Sequence, residues 1–122
     1  MKNYELGRQG ETCAIDFLLQ LGYTILKRNY RIPGAEIDMI AKDPDGTLAF
    51  VEVKLRKACA LVEGVEAIDI QKKRRIGMAA EHYLLHHEWA GACRFDAIII
   101  TGDLAGHYEI THIVQAFEID RY

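Results

Sequence analysis

No disulfide framework and no cysteine-ligated metal site can be read from this chain. Its three cysteines, Cys13, Cys59 and Cys93, are odd in number, widely spaced and without a C-x-x-C pair. That usage fits reduced thiols. Long apolar runs are missing as well, and the opening MKNYELGRQGE carries no apolar signal-like stretch. A soluble, cytoplasmic protein with no membrane partner is therefore expected. Basic excess is lacking too: 15 Lys and Arg stand against 18 Asp and Glu, a net charge of -3. Nucleic-acid binding by bulk charge is excluded, and any such reading must rest on local patches. Repeats, low-complexity segments and linkers are absent. The 122 residues, half of them hydrophobic, suit one domain spanning 1–122 with a core that needs no staple.

What is present is a clear alternation of periods. Leu6, Gly10, Cys13, Ala14, Phe17, Leu18 and Leu21 recur at helical spacing, with Gly22 placed to end the helix. YTILKRNYRI predicts a strand broken by Pro33-Gly34, AEIDMIAK a second and TLAFVEVKLR a third, with DPDG between the last two as turn chemistry. Helical spacing returns from about Glu66 to Trp89. RFDAIII reads as a buried strand, and YEITHIV as a last strand suited to a sheet edge. The order α-β-β-β-α-β-β predicts an α/β fold, a mixed central sheet flanked by helices.

FVEVKLR sets the functional question, because Glu52 and Lys54 interrupt an otherwise apolar strand. Alternation places Ala49, Val51, Val53 and Leu55 on one face, and Leu48, Phe50, Glu52, Lys54 and Arg56 on the other. A three-residue loop, Pro44-Asp45-Gly46, would make Asp43 face Thr47. Asp38 then stands opposite Glu52, Met39 opposite Val51 and Ile37 opposite Val53, with Ile37, Met39 and Ala41 sharing the core face. A four-residue loop without a bulge would put Asp38 and Glu52 on opposite faces and mix the core face, so patterning selects the three-residue loop. Two carboxylates held together need a proton or a cation between them, and hard oxygen ligands suit Mg²⁺ or Mn²⁺. Lys54 beside them can orient water or offset developing charge, which is what metal-dependent phosphodiester hydrolysis requires. A plain Glu52–Lys54 ion pair is the competing explanation.

An acidic residue followed about a dozen positions later by E-x-K on a strand resembles the signature of the restriction-endonuclease-like (PD-(D/E)XK) nucleases: here Asp38, then Glu52-Val53-Lys54. GRQGETCAIDFLLQLGYTILKRNYR, EIDMIA, FVEVKLR, QKKRRIGMAAEHYL and RFDAIII together resemble the YraN-like family of bacterial proteins, similar in fold to archaeal Holliday-junction resolvases. The resemblance implies a restriction-endonuclease-like fold and a metal-dependent DNA endonuclease, with branched DNA among its candidate substrates and a homodimer as a candidate assembly. It further implies catalytic roles for Asp38, Glu52 and Lys54. Metal ligation would fall to Glu11, Asp38, Glu52 and the main-chain carbonyl of Val53. Two departures stand out: the usual Gly-Glu-Ile-Asp reads Ala35-Glu36-Ile37-Asp38 after Gly34, and Leu55 replaces the usual Thr.

Lys72 and Lys73, in the KKRR run, lie four and three residues before Ile76. With Lys54, Arg56 and Lys57 they could line a phosphate-binding cleft that Lys27, Arg28 and Arg31 would extend. His82 and His86 have zinc-clamp spacing, but Tyr83 replaces the glutamate of H-E-x-x-H, so they read as surface histidines. Asp96 reads as a tie for a strand end, and Trp89 as a core or helix-end anchor. Two other functions fit the same residues: a nucleic-acid-binding accessory protein without cleavage, and a protein-interaction domain whose acidic cleft is a relic.

Overall fold

A computed structural model of the chain describes residues 3–57 and 68–119. The first helix, α1 (Asn3–Gln20), buries Ala14 and Leu18 completely. It ends where periodicity places its end. Gly22 takes φ +88°, Tyr23 N–H donates to the Leu18 carbonyl and Gly22 N–H to the Leu19 carbonyl, both at 3.0 Å. This is a Schellman closure, in which a left-handed residue returns the chain and satisfies the last carbonyls.

Strands β1 (Thr24–Ile32) and β2 (Ala35–Lys42) are joined at Pro33-Gly34. Gly34 adopts φ +80°, the left-handed value that a Pro-Gly turn needs at its second residue. Ala35 pairs with Ile32 and is buried at the start of β2. Strand β3 (Leu48–Arg56) follows through the expected three-residue loop. Asp43 N–H donates to the Thr47 carbonyl at 2.9 Å, and Asp43 Oδ1 accepts the N–H groups of Asp45 and Thr47. The ladder runs from Lys42 opposite Leu48 to Met39 opposite Val51.

Helix α2 (Ile70–His86) is shorter than its periodicity suggests. Asp69 caps it, accepting the Lys72 N–H at 2.7 Å, so this helix begins at Ile70; the expected start near Glu66 lies outside the described residues. It stops before Trp89 because Glu88 takes φ +48°, and Trp89 N–H closes onto the Leu84 carbonyl at 3.1 Å. Trp89 Nε1 donates to the Ala92 carbonyl, so this ring anchors the helix end from outside it. Strands β4 (Cys93–Gly102) and β5 (Tyr108–Phe117) complete the sheet.

Spatial order equals chain order, β1-β2-β3-β4-β5, antiparallel except for the parallel β3–β4 pair that α2 connects. Parallel neighbours need such a crossover. Strand β5 forms an edge, as anticipated. The sheet is covered on both sides. Ala14 and Leu18 pack with Met39, Ala49, Val51, Ile98 and Ile100 on the α1 face. Ile76, Ala79, Ala80 and Tyr83 pack with Ile40, Phe50, Ala97 and Ile99 on the α2 face.

One expectation about faces fails. Ile37 packs with the α2 cluster, not with Met39 and Ala41. The cause lies on β1, where Asn29 adopts φ +55°. Arg28 reaches α1, donating to Thr12 Oγ1 at 2.9 Å, whereas Tyr30 meets His82 and Tyr83 on α2. The paired residues on β2 switch in step: Met39 opposite Arg28 faces α1, and Ile37 opposite Tyr30 faces α2. Asp38 occupies the switch point. The β2–β3 ladder ends there too, so Ile37 does not pair with Val53 as expected.

Candidate functional site

Asp38 and Glu52 meet. Just past the last ladder pair, Met39–Val51, the two carboxyls come close enough for Asp38 to perturb Glu52 by hydrogen bonding and by charge. Asp38 Oδ2 also accepts the Val53 N–H at 2.9 Å, so a side chain takes the place of a β2 carbonyl there. Glu52 is only 5% exposed although charged residues seldom are so buried. Burial, then the hydrogen bond and negative charge of Asp38, push its carboxyl up to about 9, against the opposing pull of Lys72 and Lys54. Near neutral pH the pair therefore holds a proton. The Lys72 Nζ lies 3.5 Å from Glu52 Oε2. With Glu52 protonated this is a long polar contact, and it becomes an ion pair when the carboxyl ionises.

Glu11 approaches from α1. Gly10, immediately before it, lets the helix come close to β3: a Cβ there would lie 3.0 Å from Leu55 Cδ2. Leu55 thus faces α1, as alternation requires. Burial, then the charge of Asp38, raises the Glu11 carboxyl above its ordinary value, while a hydrogen bond from Asn29 and the charge of Arg28 pull it down. Glu11 Oε1 is buried without a hydrogen bond, and Arg28 Nε stands 3.7 Å away. Glu11 and Glu52 therefore both address Asp38, Glu11 from the α1 side and Glu52 from the face shared with α2. Among the described residues no three His, Cys, Asp or Glu side chains converge at metal-ligating spacing.

The donors nonetheless suit a hard divalent cation. Two carboxyls share a site that cannot hold two negative charges unaided, and a third offers an oxygen with no hydrogen bond. Lys54 lies half-buried two residues beyond Glu52 on the same face, close enough to favour its ionised form. Arg56 follows on that face, its Nε buried without a partner, and Lys57 is exposed beyond the strand end. Lys72 and Lys73 part company: Lys72 turns to Glu52, but Lys73 Nζ sits 5.7 Å above the Phe117 ring on the β5 side. Beside Glu11 a cleft of about 460 Å³ is lined by Arg8, Arg28, Arg31, Asn29 and Glu36.

Two features escape sequence reasoning. Asn29 both switches the face of β1 and bonds Glu11; its only signal is that Asn tolerates left-handed backbone better than most residues. The second is a buried network around Asp96. This carboxylate is fully buried and accepts from Arg94 Nε at 2.9 Å, His112 Nε2 at 2.9 Å and the Gln115 N–H at 3.0 Å. Arg94 continues to Asp43 Oδ2 at 2.6 Å and Tyr23 Oη at 2.8 Å. Asp96 thus ties β4 to the irregularity in β5 and to the β2–β3 hairpin. His82 is half-buried, bonded to Tyr30 and stacked on His86, and so is more than a surface residue.

Comparison with known proteins places the chain. Residues 10–100 match the model of the uncharacterised protein family UPF0102. A UPF0102 protein of Acidovorax sp. (strain JS42) is 46% identical over 100 residues, covering 80% of this chain and 76% of the relative. One from Desulfosudis oleivorans is 50% identical over 99 residues, 80% of each. One from Prosthecochloris aestuarii is 44% identical over 121 residues, 93% of this chain and 94% of the relative. Among the described residues no helix is long and apolar enough to cross a membrane. The match spans the first helix from Gly10 onward, Asp38, the Glu52-Val53-Lys54 strand and most of β4, and the chain belongs to the UPF0102, or YraN-like, family.

Proposed function

We propose that this protein is a Mg²⁺- or Mn²⁺-dependent endonuclease of the restriction-endonuclease-like superfamily, similar to archaeal Holliday-junction resolvases, acting on DNA with branched forms among its substrates. The observation that carries the reading is the buried contact of Asp38 with Glu52, with Lys54 on the same face of β3. Asp38 and Glu52 would hold the cation with the Val53 carbonyl, and Glu11 would assist. When bound, the cation supplies charge at the scissile phosphate and acidifies water.

The chain's own groups do the rest. Asp38, pinned by the Val53 N–H, stays fixed while Glu52 loses its proton. Lys54 orients the attacking water and sets positive charge beside the phosphate. Lys72 neutralises Glu52 once it is ionised. Arg56 and Lys57 extend the cationic surface along β3, while Lys73 contacts backbone farther toward β5. Such contacts give affinity without reading sequence.

One observation favours a second reading, nucleic-acid binding without cleavage: Glu11, Asp38 and Glu52 do not converge on one point among the described residues. A single assay separates the two. Linear, single-stranded and four-way-junction DNA are incubated with the protein and Mn²⁺, and in parallel with chelator, Asp38→Ala or Lys54→Ala. Cutting that needs Mn²⁺ and vanishes in both variants is expected. Binding without cutting would establish the accessory role, and neither would leave a protein-interaction domain with a relic cleft.

A further inference from the structure

The outward side of α2 is unlike an ordinary solvated helix face. Ile70, Met78 and Leu85 are 70%, 54% and 70% exposed. At 3.6 residues per turn these three fall on one stripe with Arg74 and Glu81, opposite the buried Ile76, Ala79 and Tyr83. Single exposed apolar residues are common, but here three alternate with Arg74 and Glu81 along one stripe of a 17-residue helix. Arg74 and Glu81 are exposed and form no ion pair within the described chain.

The order of residues in this seam is self-complementary. Run a second copy of the helix antiparallel to the first, with a two-fold axis passing between Gly77 and Met78. Ile70 of each copy then faces Leu85 of the other, Arg74 faces Glu81, and the two Met78 side chains lie beside the axis. Apolar meets apolar, and both charges find the opposite sign twice over. An isologous dimer demands this, since one patch must fit itself. Ile70, Arg74, Met78 and Glu81 of this seam also line a groove of about 890 Å³, together with Phe95 and Ile119 and the charged Lys73 and Glu118. The exposed edge of β5 is the weaker candidate, because left-handed Gln115 and the register shift opposite Phe95–Ala97 break its line.

We propose that the outward face of α2 is a self-association surface on which a second copy of this chain packs antiparallel, held by Ile70–Leu85 contacts and by reciprocal Arg74–Glu81 pairs. The proposal is independent of the nuclease reading.

Sedimentation equilibrium of the full chain, from low micromolar to near-millimolar concentration, tests it. The native protein is expected to form a monomer–dimer equilibrium. Arg74→Glu sets like charges opposite each other at two places, as does Glu81→Arg, and each should weaken the dimer about tenfold or more. The double exchange Arg74→Glu with Glu81→Arg should restore association to near the native value, which a merely unfolded or generally repelled variant would not. All four proteins should share one circular-dichroism spectrum, as the positions face solvent. A native chain that stays monomeric throughout, a dimer indifferent to the single reversals, or a double exchange that fails to recover would overturn the proposal.

Discussion

The carboxylate of Asp38 accepts the main-chain N–H of Val53 at 2.9 Å, at the point where the β2–β3 ladder ends. The bond fixes Asp38 between the strands and holds it against Glu52. Asp38→Asn can keep that bond through its amide oxygen while removing the charge. Glu52 should then titrate well below its native value of about 9 but above an exposed glutamate, since burial remains. Carboxyl-selective NMR titration reads this directly. If metal-dependent cleavage is present, the same variant should lower it by about 10²-fold or more, as loss of one electrostatic contact to the transition state does.

The alkaline side of the stability profile follows from the same pair. Glu52 has a folded value near 9 against an ordinary 4.5, so the folded protein binds the extra proton between those values. Its contribution is fully present below about pH 4.5 and is lost as pH rises toward 9. Glu52→Gln should remove this decline. Thermal unfolding at pH 5, 7 and 9 should show the native melting temperature falling across the range relative to the variant. Parallel curves would refute the assignment.

On the acid side the sign reverses. Burial alone would raise Asp96, but hydrogen bonds from His112, Arg94 and Gln115 carry it below the usual range. An Arg94 hydrogen bond likewise lowers Asp43. Their stabilisation is present above the unfolded value of 3.8 and is lost as pH falls through the lower folded values. Asp96→Ala leaves Arg94, whose side chain is 11% exposed, short of its buried partner and should cost about 3–5 kcal/mol in urea unfolding.

Glu88 offers a test of the way α2 ends. It is a non-glycine residue at φ +48° in a Schellman closure. Glu88→Gly should stabilise the protein by about 0.5–1 kcal/mol, because glycine meets this conformation without strain. Chemical denaturation checks it; a loss of stability would mean that the Glu88 side chain supports the turn.

The register of the β2–β3 hairpin was legible because two signals agreed: the Asp-Pro-Asp-Gly turn and the match of Met39 with Val51 both select the same alignment. Leu55 could be placed by alternation alone. Ile37 could not, because its face depends on a left-handed Asn29 across the sheet, and one residue's backbone leaves no mark on hydrophobic spacing. The start of α2 is hidden for a similar reason: apolar spacing continues ahead of Ile70, and the Asp69 cap decides where the helix begins. Arg94, Asp96, Tyr23 and His112 are separated by up to 89 residues along the chain, so only the folded sheet reveals their network. Resemblance points to Glu11, but nothing in the spacing signals its hold by Asn29 or its separate approach to Asp38.

The central claim is that Asp38 and Glu52 form one site for a divalent ion, and calorimetric titration with Mn²⁺ at mildly alkaline pH tests it without requiring any activity. The native protein should bind one ion per chain, and binding should disappear in Asp38→Asn and in Glu52→Gln while both variants remain folded. No binding at millimolar Mn²⁺, or undiminished binding in the two variants, would contradict the account.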